Sequence, residues 1–158
     1  MRNVLLAATT VLVGLSAGVF FAYSTSVMLA LHQVEDRTFI DVMQRINRVI
    51  LNGWFMTAFL GALLLAVVAV LLHLSPGHRG PLPWLVATAV LYAVTVLVTV
   101  ALNVPMNTTL EAAGPVARIA DPAAVRQAFE GPWTGWNLVR TVVSAGSLLT
   151  LALALLRA

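Results

Sequence analysis

An isolated arginine is the residue of greatest chemical interest in this sequence. Arg140 is the only charged residue between Gly131 and Leu156. A charged side chain at membrane depth costs about 3 kcal/mol or more, so such residues usually mark a functional site. Arginine is a poor metal ligand, and the chemistry that it offers is hydrogen bonding and stabilisation of negative charge. We therefore regard Arg140 as the centre of a candidate site.

Polar side chains recur at helical spacing on all four long segments of the chain. Residues three or four apart share a helix face, so each segment carries a polar stripe. The first segment carries Ser16, Phe20, Tyr23 and Ser24, and the polar stretch leading into the second carries Gln44, Asn47, Arg48 and Asn52. The third segment carries Thr99, Asn103 and Asn107, and the fourth carries Trp133, Trp136, Asn137, Arg140, Ser144 and Ser147. Antiparallel helices would bring these stripes to one end of a bundle, which predicts a polar pocket there.

Each of these residues also has a simpler interpretation. Asparagines bridge membrane helices, at about 0.6 kcal/mol per hydrogen bond. Arg140 lies about two turns inside its segment and could extend to the headgroups. Trp133 and Trp136 could belong to the aromatic belt of the membrane interface. The number of amides in one leaflet, together with Arg140, exceeds what helix association needs, and this favours a pocket.

The elements that carry these stripes are long and apolar. Hydrophobic residues make up 60% of the 158 residues and charged residues 9%, against about 25% charged residues in soluble domains. The mean hydropathy is +0.94. These values predict an all-α integral membrane four-helix bundle, a single domain over residues 1–158. The predicted spans are about 4–31, 49–74, 82–104 and 136–156, with an amphipathic helix at about 36–50.

Cap and breaker signals refine these bounds. No breaker separates the amphipathic helix from the second span, which predicts one continuous helix. Pro105 cannot donate to the carbonyl of residue 101 and should interrupt the end of the third span. Asp121 and Pro122 predict the start of a short helix that ends at Phe129. The fourth span then begins near Trp133.

The first span could be mistaken for a signal peptide, because Arg2 precedes an apolar run. That run is too long for the apolar region of a signal peptide, and no A-x-A cleavage site follows. We therefore expect a retained span. All nine basic residues are arginine, which suggests a GC-rich bacterial genome. We expect an integral protein of the bacterial inner (cytoplasmic) membrane.

Charge leaves the orientation in the membrane open. Six arginines lie at the polar end and three at the other, and the rule that counts cations would place the polar end inside. If Arg45, Arg48 and Arg140 are structural, the count becomes three at each end. We favour an orientation with both termini inside.

The residue types exclude several kinds of site. The chain has no cysteine, so disulfides and thiolate metal sites are excluded. His32 is the only histidine at the polar end, and we expect His73 and His78 to be solvated at the other, so no metal site is expected. No basic and aromatic pattern suggests nucleic acid. The expected partners are a hydrophobic small molecule and the lipid bilayer, and Gly14 and Gly18 leave a homo-oligomer open.

Four short motifs, in order along the chain, resemble one known family. They are Ala17-Gly18-Val19-Phe20-Phe21-Ala22-Tyr23-Ser24, Met43-Gln44-Arg45-Ile46-Asn47, Asn103-Val104-Pro105-Met106-Asn107 and Trp133-x-x-Trp136-Asn137-x-x-Arg140. These motifs are similar to those of the anthrone oxygenase-like family of small four-span membrane proteins, most of which are domains of unknown function. The resemblance covers nearly the whole chain.

The resemblance implies an activity and roles for several residues. Anthrone oxygenases convert an anthrone to an anthraquinone with O₂ and no cofactor, which implies an oxidoreductase for a hydrophobic aromatic or polyketide-type substrate. Arg140 would stabilise the substrate oxyanion. The amide donors would be Asn103, Asn107 and Asn137, and His32 would be the base, since histidine exchanges protons near neutral pH. The candidate substrate-binding residues are Tyr23, Gln44, Asn47, Asn107, Trp133 and Trp136.

Two other functions remain open from the sequence. The same amides could recognise a hydrophobic molecule that the protein binds or moves without chemistry. Alternatively, Gly14 and Gly18 could form a packing surface within a larger membrane assembly. Four spans without an inverted repeat argue against a secondary transporter that acts alone.

Overall fold

The computed structural model describes residues 2–158, which form five long helices and two short 3₁₀ turns. The long helices are α1, Arg2–Leu31; α2, Asp36–Val49; α3, Gly53–Leu72; α4, Leu82–Ala112; and α5, Pro122–Leu155. The 3₁₀ turns are Pro76–His78 and Val116–Arg118. This part of the chain contains no strand, so the predicted all-α fold is confirmed.

Four of the helices, α1, α3, α4 and α5, are long and apolar enough to cross a membrane. Both α1 and α4 pack against α3 and α5, so the four helices form a closed ring. Their outer faces carry large exposed apolar side chains, such as Val11, Leu64, Val90 and Leu149. A soluble protein does not expose so extensive an apolar surface. The fold is therefore that of an integral membrane four-helix bundle.

The centre of this bundle combines aromatic and very small side chains. Ala62 and Ala69 of α3 are fully buried, and small residues of this kind let membrane helices approach closely. The ring of Phe59 lies 6.2 Å from the rings of both Phe20 and Tyr92. These contacts join α1, α3 and α4 below the polar end.

The amphipathic helix α2 lies against the polar end of the bundle. It buries Phe39 and Met43 against α4 and α5. The prediction of one continuous helix from α2 into the second span is wrong, because the backbone is extended at Asn52. The Asn52 side chain accepts a hydrogen bond from the Phe55 amide (3.0 Å) and donates one to the Val49 carbonyl (2.8 Å). Asparagine is a preferred N-cap, so Asn52 starts α3 as a separate helix.

The last helix, α5, is a single helix of 34 residues, although a short helix followed by a separate span was predicted. Asp121 is the N-cap, as expected, and its side chain accepts a hydrogen bond from the Ala124 amide (3.0 Å). Pro132 lies inside the helix and removes one backbone hydrogen bond. Phe129 and Trp133 are buried on either side of it, four residues apart. Both side chains pack in the same buried cluster, and this packing stabilises the helix on both sides of Pro132.

Candidate functional site

Two π-helical turns interrupt the spans that flank α5 at the polar end. They are Tyr23–Val27 in α1 and Thr99–Asn103 in α4, and both contact α5. The second turn ends two residues before Pro105, which has no backbone N–H to donate. Turns of this kind occur frequently at functional sites. They carry the polar side chains of Tyr23, Ser24, Thr99 and Asn103.

Arg140 points into the bundle and not toward the headgroups. It is 5% exposed. Its Nη2 donates to Asn137 Oδ1 (2.9 Å), and its Nη1 lies 3.5 Å from Thr99 Oγ1. The guanidinium carbon lies 4.6 Å from the ring centroid of Phe20 and 5.2 Å from that of Trp133. These cation–π contacts hold the charge against two aromatic faces in a desolvated environment.

Asn137 holds Arg140 in place from the same helix. It is fully buried, and its Nδ2 donates to the Phe20 carbonyl (3.0 Å) and to Ser24 Oγ (2.8 Å). Its Oδ1 accepts the hydrogen bond from Arg140. Both ends of the amide are therefore engaged, and Asn137 positions Arg140 against α1. It was predicted to be an amide donor to a ligand, but both of its N–H groups already have protein acceptors.

Two buried polar atoms in this cluster have no hydrogen-bond partner among residues 2–158. They are Arg140 Nε, which is a donor, and Asn103 Oδ1, which is an acceptor. Asn103 is fully buried, and its Nδ2 lies 3.4 Å from the Trp133 carbonyl oxygen. No carboxylate of the described residues forms an ion pair with Arg140. Because a buried unpaired charge is costly, the cluster is suited to a ligand that supplies both an acceptor and a donor.

Trp133 links this cluster to the outer end of α4. Its indole N–H donates to Asn107 Oδ1 (2.8 Å). The ring lies 5.6 Å from the Tyr23 ring and stacks on Phe129 at 6.1 Å. The structure thus brings together six of the predicted site residues in one cluster, Arg140 and five others. They are Tyr23, Asn103, Asn107, Trp133, Asn137 and Arg140.

His32 lies outside this cluster. It follows the last turn of α1, its side chain is 76% exposed, and its Nδ1 lies 2.8 Å from Glu130 Oε1. Glu130 precedes Arg140 by ten residues on α5, which corresponds to about 15 Å of helix. The expected role of His32 as a base for a ligand at Arg140 does not fit this geometry.

Two further predicted residues, Trp136 and Gln44, also lie apart from the cluster, and no hydrogen bond links a third, Asn47, to it within the described residues. Trp136 is 39% exposed on the outer surface of α5, which suits the aromatic belt. Gln44 is buried, but its Nε2 donates to the carbonyls of Leu110 (2.9 Å) and Gly114 (3.1 Å) and ties α2 to the end of α4. Asn47 is half-buried on α2, and its Nδ2 has no partner among the described residues.

Arg126 is a residue to which the sequence analysis gave no role. Its side chain is 11% exposed, and it pairs with Glu130 (2.6 Å) and Asp36 (3.0 Å). Further hydrogen bonds go to the carbonyls of Leu31, His32 and Val34. Arg126 therefore fastens the turn between α1 and α2 to α5, directly outside the Arg140 cluster. Its spacing of four from Glu130 was the one signal available in the sequence.

An apolar groove lies on the outside of the cluster, between the end of α4 and the start of α5. Its volume is about 510 Å³, and its lining includes Pro105, Met106, Leu110, Ala124, Ala128 and Phe129. Phe129 is also the residue that stacks on Trp133. The groove and the arginine cluster therefore share one aromatic wall.

The opposite end of the bundle differs from expectation at one histidine. His73 was predicted to be solvated but is buried, with Nδ1 2.7 Å from the Ala69 carbonyl oxygen. His78 is exposed, as expected. Within residues 2–158, no group of three or more His, Asp or Glu side chains is arranged to hold a metal ion.

The fold and the cluster together define a class, namely a small integral membrane four-helix bundle with a buried arginine and asparagine site at one end. The family model described as anthrone oxygenase matches residues 54–150, more than half of the chain. The chain belongs to the anthrone oxygenase family. The matched region includes Asn103, Asn107, Trp133, Asn137 and Arg140, whereas α1 and α2 lie outside it. No curated protein and no solved structure matches the chain.

Proposed function

We propose that this protein is a bacterial inner-membrane oxygenase that oxidises a hydrophobic aromatic molecule of the polyketide type with O₂ and no cofactor. The observation that carries the proposal is the pair of unpartnered atoms, Arg140 Nε and Asn103 Oδ1. A hydroxylated aromatic substrate supplies the missing acceptor and the missing donor. Its oxygen accepts a hydrogen bond from Arg140 Nε, and a hydroxyl group donates one to Asn103 Oδ1. Membership of the anthrone oxygenase family supports the same class of reaction.

The proposed reaction needs no electron donor besides the substrate. An anthrone tautomerises to a phenol, which loses its hydroxyl proton to solvent base and becomes a phenolate, and Arg140 stabilises the charge on its oxygen. The phenolate transfers electrons to O₂, forms a C–O bond at the former CH₂ carbon and takes up a proton from solvent, which gives a hydroperoxide. Loss of water then leaves a carbonyl at that carbon. Oxidation of CH₂ to C=O releases four electrons, which reduce one O₂ completely, so one oxygen atom enters the product and the other becomes water.

The surrounding residues position Arg140 and exclude water from it. Asn137 holds Nη2, while Phe20 and Trp133 cover the guanidinium. A low local dielectric makes the attraction between guanidinium and oxyanion stronger than it is in water. Arg140 thereby lowers the free-energy cost of deprotonating the substrate, and the mechanism does not require His32 as a base.

A second candidate function is the binding or movement of a hydrophobic molecule without chemistry. The apolar groove favours it, because none of the residues that line the groove is an acid or a base. Under this alternative, the Arg140 cluster recognises a hydroxyl group of the bound molecule but does not activate it. The two functions differ in whether the substrate consumes O₂.

The test is oxygen uptake by the purified protein in detergent with an anthrone and a metal chelator, measured above the rate of autoxidation. We expect stimulated uptake, and we expect Arg140→Gln to lower kcat/KM by about 10²–10³-fold, the usual effect of removing one oxyanion donor. Arg157→Gln is the matched control, because Arg157 is exposed at the opposite end of the bundle.

Three outcomes would contradict parts of this proposal. Tight binding of the anthrone without stimulated uptake would favour the binding function. Uptake that stops with the chelator and returns with a metal ion would refute the cofactor-free mechanism. Arg140→Gln protein that fails to insert, while Arg140→Lys inserts with full activity, would mean that Arg140 serves mainly to stabilise the bundle.

A further inference from the structure

The groove between α4 and α5 has the size and lining of a small-molecule site. Its volume of about 510 Å³ falls within the range of about 300–1,000 Å³ that is typical of ligand pockets. Met106 and Leu110 line it on α4, and Val125 and Phe129 line it on α5. Thr109 adds a hydroxyl group to this apolar lining. An aromatic ring and a thioether are side chains against which a flat ring system packs well.

Two side chains, Phe129 and Trp133, separate this groove from Arg140. Phe129, in the wall of the groove, stacks on Trp133 with 6.1 Å between ring centroids and 27° between ring planes. Trp133 in turn contacts the guanidinium of Arg140, whose carbon lies 5.2 Å from the Trp133 centroid. A molecule in the groove therefore has the Phe129 and Trp133 rings between itself and the charge.

Trp133 is held in this place by a bond that can be broken without disturbing a helix. Its indole N–H donates to the side chain of Asn107, 2.8 Å away, and not to a backbone group. Asn107 is half-buried at the same end of α4. Because the indole lies over the guanidinium of Arg140, its rotation uncovers this group, whose Nε has no partner among the described residues.

A second groove on the bundle provides the contrast. It has a similar volume, about 440 Å³, and lies between α1 and α5, where its lining includes Gly14, Gly18, Ala145 and Leu149. Neither Gly14 nor Gly18 has a neighbour within 4 Å of an added Cβ. Its lining also includes Phe21, but this ring makes no ring–ring contact with an aromatic side chain of the described residues, so this groove shares no aromatic wall with the Arg140 cluster.

From these contacts we infer that the α4–α5 groove is the entry and docking site for a flat, uncharged polycyclic molecule that arrives from the bilayer, with Trp133 as the gate to Arg140. The reaction at Arg140 rests on the proposed oxygenase function. Docking in the groove does not, because it depends only on the shape and lining of the groove. Asn107 acts as a positioning residue that holds the gate closed.

The experiment uses two matched substitutions on α5. Ala128→Phe fills the α4–α5 groove, and Ala145→Phe fills the α1–α5 groove; both alanines are exposed, so neither change inserts a ring into the core. Binding of anthraquinone is followed by quenching of Trp133 fluorescence in a background in which the other tryptophans are phenylalanine. The replaced residues are Trp54, Trp84 and Trp136.

We expect saturable quenching that Ala128→Phe weakens by about tenfold or more and that Ala145→Phe leaves unchanged. Equal quenching in both variants would mean that the probe merely partitions into the detergent, and this would overturn the inference. Equal weakening by both variants would overturn it as well, since the effect would then not be specific to one groove.

Oxygen uptake in the protein with all its tryptophans provides a second readout that separates this inference from the proposed function. We expect Ala128→Phe to raise KM for an anthrone by about tenfold with little change in kcat, and Ala145→Phe to change neither. Stimulated uptake with an unchanged KM in Ala128→Phe would refute the groove and leave the oxygenase intact. Groove-dependent binding without any uptake would support the groove and refute the oxygenase.

Discussion

The two ends of this bundle satisfy their polar groups in different ways. Toward the end that carries the chain termini, hydroxyl groups bond within their own helix or to the adjacent one. Thr9 donates to the Leu5 carbonyl, Thr88 to the Trp84 carbonyl, and Ser147 to the Thr88 carbonyl. His73 is likewise paired with a carbonyl of its own helix. Such bonds satisfy buried hydroxyls and leave nothing for a ligand.

At the polar end, side chains are linked across helices, and some atoms are left over. Asn137 joins α5 to α1, and Trp133 joins α5 to α4. Arg140 Nε and Asn103 Oδ1 have no partner among the described residues. Buried polar groups in native proteins are nearly always paired, and exceptions call for an explanation. Ser16 Oγ, in the middle of α1, also lacks a partner among the described residues, so it is the grouping of unpaired donors and acceptors around one charge that marks the candidate site.

Among the variants that test this contrast, we expect Arg126→Gln to lower the stability most. Arg126→Gln removes the pairs with Glu130 and Asp36 and several bonds to carbonyls of the α1–α2 turn. We expect a loss of about 2 kcal/mol in the free energy of unfolding, since these charged hydrogen bonds are mostly shielded from water. Unfolding by SDS in mixed micelles measures it. Arg118→Gln, at an exposed arginine outside these pairs, is the control and should change little; equal losses in both would refute the assigned role.

A smaller effect is expected at the middle of the bundle. Tyr92 is fully buried, and its hydroxyl donates to the Phe59 carbonyl (3.0 Å). Tyr92→Phe removes this bond and should cost about 0.6 kcal/mol, the average for interhelical hydrogen bonds in membranes. Its oxygen uptake should match that of the unaltered protein. A large loss of uptake without loss of stability would extend the functional site toward the bundle centre and break the comparison.

The smallest effect is expected at His32, despite its place at the polar end. His32→Gln removes one exposed pair with Glu130, which keeps its bond to Arg126. We expect the free energy of unfolding to change by less than about 1 kcal/mol and oxygen uptake to be unchanged. If His32→Gln lost oxygen uptake at every pH tested while the control variants kept it, His32 would have a role in the mechanism.

Helical spacing predicted the inward residues well where burial was strongly favoured. Arg140 and Asn137, three residues apart on one face of α5, are both buried. Trp136, adjacent to Asn137, was placed on the same stripe but is exposed. Residues chosen at spacings of three and four cover a wide part of the helix surface. The residues at the edge of such a stripe can therefore face either the core or the lipid. Only the packing of α5 against its neighbours decides such cases.

Breaker signals were less reliable than spacing. A short helix ending at Phe129 was predicted, but the helix continues through Gly131 and Pro132. Asn52 starts a new helix, and the Asn52-Gly53 pair, a dipeptide typical of turns, was a signal that the prediction of one continuous helix overlooked. One lost backbone hydrogen bond is tolerated where side chains on either side are buried together, and this outcome at Pro132 cannot be read from residue types alone.

The sequence by itself determined the class of fold, the family and the end of the bundle where the polar chemistry lies. Long uncharged segments are stable only in a bilayer, and there their backbone N–H and C=O groups must pair with one another within a helix. The tertiary structure alone decided which polar groups meet. It separates His32, Gln44 and Trp136 from Arg140 and leaves Arg140 Nε and Asn103 Oδ1 without partners within residues 2–158. The reason is that hydrogen bonding depends on distances of about 3 Å between atoms, and the rotation and depth of each packed helix set those distances.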